Sequence, residues 1–432
     1  MLVAALVAFG LSPRSTSATA LLTADVRADA DWILSSQLAD GSIANYSDKL
    51  AVWPYLSNFA ALGLVRATAV TGDKKYLNAT WRWLEWYQAH QDARGFVTDY
   101  HVVNGQLVST GFMDSTDSYA GTFLLAVREA YRQRGEIAKV KGLAAGITRA
   151  VAAIEATQQS DGLTWAKPSW RVKYLMDQAE TYSGLVAASE LARLIGNRSL
   201  ADRATDNAKR MKAGVDALWN PATTAYNWAV HENGVRLPNR WSVLYSDSLQ
   251  QAWAVAFGMV DPSRAAALAQ LFTVSQPNWA KPLDVALFDS GTQTVGYWPM
   301  AGLGLRLAGN PAGALGTATI RAGSMTTGRA WPFTTGNAGQ LILLESSGWT
   351  PPTLPTTTTT TSKPTTTTAK PTTTTAKPTT TTARPTTTMA PSTTTTSTAP
   401  PTSPTTAPAG SGAVRALGVD PTYLRSPLLE ER

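Results

Sequence analysis

Apolar residues recur with the spacing of α-helices through nearly all of residues 24–347. The glycines that would end these helices are Gly72, Gly135, Gly196, Gly258 and Gly309. Glycine commonly follows the last helical turn because it adopts a positive φ without strain. The first four of these glycines lie 63, 61 and 62 residues apart, which indicates a structural repeat of that length.

A second marker lies half a repeat away from the glycines. The pattern Ile-x-x-x-Gln-x-x-Asp-Gly occurs at residues 33–41 and 154–162, and a looser copy occurs at 86–95. Each copy ends a helix and opens a long loop. Together the markers predict twelve helices in six hairpins: 24–38 with 54–71, 74–91 with 115–134, 137–159 with 178–195, 199–219 with 247–260, 262–275 with 298–308, and 312–324 with 335–346.

The second helix of each hairpin is richer in apolar and small residues than the first. The second helices are therefore predicted to form an inner ring, surrounded by an outer ring of first helices. The expected fold class is all-α, an (α/α)6 toroid, with an open helical solenoid as the alternative. Every long loop precedes an inner helix, so the loops gather on one rim. We call the space that the starts of the inner helices surround the funnel.

Composition changes at both ends of the chain. Residues 2–11 form a short apolar run followed by a small-residue cleavage signal, which is typical of a secreted protein. Thr and Pro dominate from about residue 350, and such a tract cannot bury a core. The predicted domains are a signal peptide (1–20), the toroid (21–349), a disordered Thr/Pro-rich linker (350–412) and a short C-terminal tail (413–432).

The charge balance excludes some classes of partner. The net charge is +7, but seven Lys/Arg and three Asp/Glu after residue 350 supply +4 of it, leaving only +3 for the rest. A nucleic-acid partner is therefore not expected. The chain has no cysteine and three histidines, so we expect no disulfide, no bound metal and no cofactor. We expect a monomer without a transmembrane segment, with the tail associating with a cell surface.

Aromatic residues concentrate in the predicted rim loops. Candidates for binding substrate are Trp53, Tyr100, His101, Trp165, Trp170, Trp228, Trp241, Trp298 and Trp331, and Tyr226, Trp279 and Tyr297 lie in the same loops. Aromatic faces stack on sugar rings while their N–H or O–H groups bind hydroxyls, so this composition predicts a carbohydrate partner. The alternative is that these rings only pack the loops together.

Two nearly matching segments carry the candidate acids. "MDSTDSYAG" occupies residues 113–121 and "MDQAETYSG" occupies residues 176–184. The candidate catalytic residues are Asp114, Asp117, Asp177, Glu180 and, at the start of the next inner helix, Asp247. Glycoside hydrolysis uses two carboxyl groups, one as acid and one as base or nucleophile. The structural alternative is that one acid of each pair caps its own helix.

The repeat and the acidic helix starts resemble the six-hairpin glycosidase superfamily. Within it, "MDQAETYSGLVAASE" (176–190) is similar to a segment of the unsaturated glucuronyl and rhamnogalacturonyl hydrolases. That resemblance implies that Asp177 is the general acid/base, with Asp117 or Asp114 as its partner. It also implies protonation of the double bond of an unsaturated uronyl sugar, followed by attack of water.

The leading hypothesis is a secreted glycoside hydrolase that acts on an oligo- or polysaccharide. One alternative is a polysaccharide lyase of the same fold, with Tyr100, His101 or His231 as base. Another is a non-catalytic glycan-binding toroid associated with a cell wall. The cations on the rim loops, which would pair with acids or bind an acidic sugar, are Arg171, Lys173, Arg236 and Arg240.

Overall fold

The computed structural model describes residues 14–282, 285–286, 293–294, 296–346 and 348–354. Residues 1–13 of the predicted signal peptide, the predicted linker beyond Leu354 and the predicted tail lie outside the described residues. The described helices are α1 (Arg14–Ser35), α2 (Pro54–Thr71), α3 (Lys74–His90), α4 (Thr116–Arg134), α5 (Ile137–Gly142), α6 (Ala144–Glu155), α7 (Leu175–Leu194), α8 (Arg198–Asp216), α9 (Leu249–Ala256), α10 (Pro262–Ser275), α11 (Pro299–Leu307), α12 (Ala312–Thr326) and α13 (Thr335–Glu345).

Short antiparallel strands occupy the loops that lead into the inner helices. They are β1 (Ala51–Val52), β2 (Tyr100–Val103), β3 (Gln106–Ser109), β4 (Lys173–Tyr174), β5 (Trp219–Asn220), β6 (Ala225–Tyr226), β7 (Ala229–Val230), β8 (Arg236–Leu237), β9 (Val285–Ala286) and β10 (Gln293–Thr294). The described sheets have the orders β1-β2-β3, β4-β7-β8, β5-β6 and β10-β9. The pairings Ala51↔His101 and Lys173↔Val230 join the loops of the first and second hairpins and of the third and fourth hairpins.

The inner helices form a closed ring. Their order around it is α2, α4, α7, α9, α11 and α13, and the extensive packing of α13 on α2 closes the circle. The outer ring consists of α1, α3, α5 with α6, α8, α10 and α12. The (α/α)6 toroid is therefore confirmed, and the open solenoid is wrong. Among the described residues, none of the helices is both long and apolar enough to cross a bilayer.

The glycines predicted to end helices do so. Gly72 and Gly135 have φ of 74° and 69°, and the backbone N–H of each bonds a carbonyl oxygen of the preceding turn. The predicted helix 137–159 is divided at Leu143 into α5 and α6. The fourth inner helix is shorter than predicted, because a wide π-type turn, Leu244–Ser248, precedes its regular part.

Glycine also sets the distance between neighbouring inner helices. A Cβ atom on Gly184 of α7 would lie 2.4 Å from the Cα atom of Gly121 on α4. A Cβ atom on Gly121 would lie 2.8 Å from the Cα atom of Thr181. The glycines that end the two matching acidic segments thus let α4 and α7 pack backbone against backbone, which holds their acidic starts close together.

The Gln-x-x-Asp-Gly pattern is a joint between outer helices. The Gln37 amide donates to the carbonyl oxygens of Gly41, in its own loop, and Ala79, on α3, at 2.8 and 2.9 Å. Gln158 makes the corresponding bonds to its own loop and to α8. The pattern therefore repeats for a structural reason.

Aromatic rings fill the centre of the toroid. The rings of Phe59 on α2 and Trp253 on α9 lie 6.0 Å apart, and Phe257 lies 6.3 Å from Phe59. Helices α2 and α9 stand opposite each other in the ring, so these side chains meet across its axis. All three rings are buried, and they form the base of the funnel.

Two further features close the toroid away from the funnel. Arg321 of α12 binds Asp29 of α1 at 2.8 Å and Glu345 of α13 at 2.6 Å. The two acids are buried, and the Arg321 side chain is mostly buried. This network joins the first hairpin to the last. Beyond α13, the indole N–H of Trp349 donates to the Ala256 carbonyl oxygen at 3.1 Å, so residues 348–354 pack beneath the short helix α9.

Candidate active site

Four of the five candidate acids are brought together at the starts of α4 and α7. Asp117 and Asp177 lie in the first turns of these helices. Asp114 precedes α4, and Glu180 lies one turn further along α7. The charges of Asp117, Glu180 and Asp114 all act on Asp177, which shows that the four carboxyl groups share one space.

None of these acids is the N-cap residue of its helix. Ser115 is the N-cap of α4 and Tyr174 is the N-cap of α7, and neither side chain makes a capping hydrogen bond. The N-cap interpretation of these pairs is therefore wrong, although Asp117 does accept from a backbone N–H in the first turn of α4. It fails because the helix boundaries are displaced from the acids: the N-cap of α4 follows Asp114, and the N-cap of α7 lies well before Asp177.

Solvent access divides the acids into two classes. Asp117 and Glu180 are fully buried, whereas Asp177 is partly exposed and Asp114 is exposed. A ligand in the funnel can therefore contact Asp177 and Asp114, while the other two act on it only through their neighbours.

The environment of the acids favours their protonated forms. Burial raises the pKa of Asp117 to about 7 and the pKa of Glu180 to about 8. Desolvation, together with the charges of the other three acids, holds the pKa of Asp177 well above its usual range. Desolvation also raises the pKa of Asp114, although its side chain is exposed. A carboxyl group that is exposed and yet desolvated lies in a concave funnel surrounded by protein.

Glu180 is held by two aromatic side chains that the sequence did not indicate. The Tyr55 hydroxyl and the Trp253 indole N–H both donate to Glu180 Oε1, each at 2.7 Å. Glu180 Oε2 is buried and has no hydrogen-bond partner among the described residues. Tyr55 is the second residue of the inner helix α2, so aligning the repeats at the helix starts could have found it.

Asp117 is bound on both of its oxygen atoms. The Thr164 hydroxyl donates to Oδ2 at 2.6 Å, and the Ser118 backbone N–H donates to Oδ1 at 2.9 Å. Thr164 belongs to the loop that follows the second Gln-x-x-Asp-Gly pattern. Asp117 therefore connects this loop to α4 beneath the funnel.

Asp247, the fifth candidate acid, is engaged by a cation. The backbone N–H and the Nε atom of Arg240 donate to its Oδ1 at 2.8 and 3.0 Å. Burial raises the pKa of Asp247, while these hydrogen bonds lower it. The pair joins the loop before α9 to the start of that helix.

A further carboxyl group, Asp99, adjoins Asp114 and was not identified from the sequence. The Tyr119 hydroxyl donates to Asp99 Oδ1 at 2.9 Å and accepts from the Asp114 backbone N–H at 3.4 Å. Burial raises the pKa of Asp99 to about 8. Lys167 lies near both acids and donates to the Met113 carbonyl oxygen at 2.7 Å. Asp99 lies in an irregular loop and has no counterpart in the other hairpins, so the repeat did not point to it.

Five aromatic residues near the acids form two groups of contacting rings. Trp170 donates to the Tyr174 hydroxyl at 2.9 Å, and Tyr174 stacks on Trp228 with ring centroids 6.0 Å apart. Tyr245 stacks on Trp298 at 5.3 Å. Burial and the charges of nearby acids, among them Asp114 and Asp177, raise the pKa of Tyr245, so this pair of rings lies near the acids. We call these five residues the aromatic wall.

The other aromatic candidates lie away from the wall. Tyr100 is buried against Trp86 and His90 on the outer helix α3. Trp165 lies under the Arg171 guanidinium, 5.0 Å from it.

The remaining rim residues vary in exposure. Trp53 is half-buried at the start of α2, and the indole of Trp241 donates to the Thr223 carbonyl oxygen at 2.9 Å. His101 is exposed on β2, and Trp331 is 48% exposed. The residues Tyr226, Trp279 and Tyr297 are buried core residues. Packing thus accounts for part of the aromatic enrichment.

Comparison with known proteins identifies the fold. No protein-family model matches the sequence, and no curated protein matches it. A solved glycosidase in complex with glucose superposes with a TM-score of 0.51 at 17% identity, covering 78% of this chain and 98% of that one. The chain therefore shares its helical toroid with this glycosidase.

Two other solved structures share this toroid. The GH63 mannosylglycerate hydrolase from Thermus thermophilus, in complex with glucose, gives a TM-score of 0.54 at 13% identity over 74% of this chain and 99% of that chain. The GH78 rhamnosidase of Bacillus sp. GL1 gives 0.51 at 13% identity over 77% of this chain and 35% of that one. At these identities the likeness establishes the fold alone. Within the described residues, no group of three or more acids, histidines or cysteines could hold a metal ion.

Proposed function

We propose that this protein is a glycoside hydrolase in which Asp177 is the general acid. The observation that carries the proposal is an accessible carboxyl group whose pKa lies well above its usual range, beside a second accessible carboxyl group. A carboxyl group with such a pKa holds its proton to higher pH than an ordinary aspartic acid does. It can therefore donate its proton to the oxygen of the leaving sugar.

Asp114 is the better candidate for the second catalytic carboxyl group. It is exposed to the funnel, whereas Asp117 is fully buried and bound by Thr164. Desolvation raises the pKa of Asp114, and the positive charge of Lys167 opposes part of that rise. Asp117 and Glu180 are positioning residues, and ionisation of either one raises the pKa of Asp177.

The aromatic wall supports a sugar ligand. Tyr245 and Trp298 present stacked rings next to the acids, and aromatic faces bind the C–H faces of sugar rings. The solved structures with this fold include glycosidases, two of them in complex with glucose. This agreement between the fold and the chemistry of the funnel supports hydrolysis of a glycosidic bond.

The proposal is tested with the full chain and a panel of glycans. Wild type is expected to release reducing sugar from one member, and Asp177→Asn to lower kcat by about 10²–10⁴-fold. The leaving group of an activated aryl glycoside of the same sugar needs no proton. Its kcat should therefore fall much less in Asp177→Asn. Asp92→Asn, on the outer surface, is the matched control and should retain full activity.

Other outcomes identify the alternatives. Unchanged turnover in Asp177→Asn contradicts its assignment. A product with a new C4–C5 double bond, detected by its absorbance, indicates a lyase. Glycan binding without turnover, lost on replacement of Trp298 but not of Asp177, indicates a non-catalytic toroid.

We also propose that the protein is secreted and associates with a cell surface through its C-terminal region. The apolar run at residues 2–11, its small-residue cleavage signal and the Thr/Pro-rich segment support this. Mass spectrometry of protein recovered from the culture medium should show an N-terminus near residue 21. Retention of an intact N-terminus in the cytoplasm would refute the proposal.

A further inference from the structure

The two matching acidic segments share a sequence pattern but differ in backbone conformation. In the second segment, Met176 and Asp177 already lie in the first turn of α7, whose N-cap is Tyr174. In the first segment, Asp114 precedes Ser115, the N-cap of α4. When the segments are aligned, α7 therefore begins about one helical turn earlier than α4. Because the local sequences are so alike, tertiary contacts must hold Asp114 outside its helix.

A single hydroxyl group binds the backbone of Asp114. The Tyr119 hydroxyl accepts from the Asp114 backbone N–H at 3.4 Å and donates to Asp99 Oδ1 at 2.9 Å. Tyr119 and Asp99 are both buried, with exposed fractions of 3% and 2%. The hydroxyl has only one proton, so donating it to Asp99 directs the oxygen lone pairs towards the Asp114 N–H. Asp99 thus orients Tyr119, and Tyr119 holds Asp114.

The loop before α7 holds both ends of this non-helical segment. Lys167 Nζ donates to the Met113 carbonyl oxygen at 2.7 Å, and the Thr116 backbone N–H donates to the Ala166 carbonyl oxygen at 2.6 Å. These two bonds fix the ends of the segment but not the orientation of the peptide groups between them. The tyrosine hydroxyl binds an N–H group of that middle stretch and so fixes its orientation.

The matching tyrosine of the second segment has a different environment. Tyr182 is about as buried as Tyr119, with an exposed fraction of 4%. The Leu354 backbone lies within hydrogen-bonding reach of its hydroxyl, on the side of the toroid away from the funnel. The charged residues near it, Lys212 and Asp216, belong to the outer helix α8. The same residue type at the same repeat position therefore serves the acids in one segment only.

We propose that Tyr119, oriented by Asp99, is the positioning residue that holds Asp114 in place as the second carboxyl group of the reaction. The inference rests on the proposed function and explains how two matching acids acquire different roles. A regular helical turn carries Asp177, whereas Asp114 is carried by a non-helical segment that depends on this hydroxyl group. Tyr119 and Asp99 are buried, so they act on the substrate only through Asp114.

The first test compares two tyrosine variants of the full chain. Tyr119→Phe removes the hydroxyl and keeps the ring, which stacks on Tyr55 with centroids 5.8 Å apart. Its kcat should fall by about 10–10²-fold with KM unchanged, because a displaced catalytic group weakens transition-state binding alone. Tyr182→Phe, the matched control, should keep the kcat of wild type. A kcat of Tyr119→Phe equal to that of wild type, or an equal fall in both variants, would overturn the inference.

A double-mutant cycle shows whether Tyr119 acts through Asp114. Asp114→Asn alone should lower kcat by about 10²–10⁴-fold. Adding Tyr119→Phe to it should lower kcat by less than about twofold further, because no carboxyl group remains to be positioned. If Tyr119→Phe causes the same loss in the Asp114→Asn background as in wild type, the tyrosine acts independently of Asp114 and the inference is wrong.

Two replacements of Asp99 separate its hydrogen bond from its charge. Asp99→Asn keeps an oxygen that accepts from the Tyr119 hydroxyl, whereas Asp99→Leu removes this acceptor. The kcat of Asp99→Asn should therefore stay close to that of wild type, and the kcat of Asp99→Leu should fall as far as that of Tyr119→Phe. Equal loss in both Asp99 variants would show that the acid does not act by orienting the tyrosine, and would overturn its part of the inference.

Crystal structures of the two tyrosine variants give a readout that needs no substrate. The Asp114 carboxyl group should move by roughly 1 Å relative to Asp177 in Tyr119→Phe and stay in place in Tyr182→Phe. An unmoved Asp114 in Tyr119→Phe overturns the inference, whatever the activity of wild type. Failure of wild type to hydrolyse any glycan overturns the proposed function instead. A displaced Asp114 would then still show that Tyr119 holds it, while its catalytic purpose falls with the proposed function.

Discussion

Replacing Gly184 with alanine should separate α4 from α7 and disturb the acids that these helices carry. The added Cβ atom would lie 2.4 Å from both the Cα and the carbonyl oxygen of Gly121. Carbon atoms in van der Waals contact lie about 3.5–4.0 Å apart, so the two backbones must move apart by roughly 1 Å. Overpacking of this kind costs about 1–3 kcal/mol, partly offset by the higher helix propensity of alanine.

Two measurements follow from this displacement. The melting temperature of Gly184→Ala should fall by about 2–6 °C. The kcat of Gly184→Ala should be up to about 10²-fold lower than that of wild type, because a shift near 1 Å between catalytic groups has that effect.

A matched control is available at Gly142, a helical glycine of α5. A Cβ atom there meets nothing within 4 Å, so Gly142→Ala should leave activity unchanged and stabilise the protein by about 0.4–1 kcal/mol. If Gly184→Ala melts with wild type and keeps its activity within about twofold, the close approach of α4 and α7 does not position the acids.

Two further predictions concern buried charges. Burial raises the pKa of Asp99 in the folded protein to about 8, above its value in the unfolded chain. The melting temperature of wild type should therefore fall as pH rises from about 4 to about 8, and that of Asp99→Asn should fall less. An equal fall in both proteins would contradict this prediction. Arg321→Gln leaves Glu345 without its cation, while Asp29 keeps its ion pair with Arg329, and should cost about 3 kcal/mol in urea unfolding. Arg94→Gln, at an exposed ion pair, should cost less than about 1 kcal/mol. Equal effects of the two arginine variants would show that the buried network does not hold the ring closed.

The toroid was predictable because its determinants are local and repeated. The glycines after the helices and the apolar second helices recur at regular spacing, and the structure confirms the six hairpins that this spacing indicates. Boundaries were less accurate where tertiary contacts decide them. The fourth inner helix loses regular turns at its start, where Asp247 binds Arg240 instead of continuing a straight helix.

The site was predictable only in part, for a related reason. Asp114 and Asp177 emerged because they occupy matching positions of a repeat. Tyr55 and Trp253 hold Glu180 from 125 and 73 residues away, and no local pattern reports such a contact. The capping interpretation failed because the acids and the helix boundaries differ in position by less than one helical turn, which sequence does not resolve.

The side chains of Phe59, Trp253 and Phe257 pack together across the axis of the toroid, so the funnel is closed at its base. Whatever enters beside Asp177 must leave by the way it came, because these rings block the axis. A released sugar and an arriving glycan substrate would then compete for the same opening of the funnel. A toroid with an unfilled axis could discharge product on its far side, whereas the proposed hydrolase would release and bind sugar through the same opening, which predicts competitive inhibition by product.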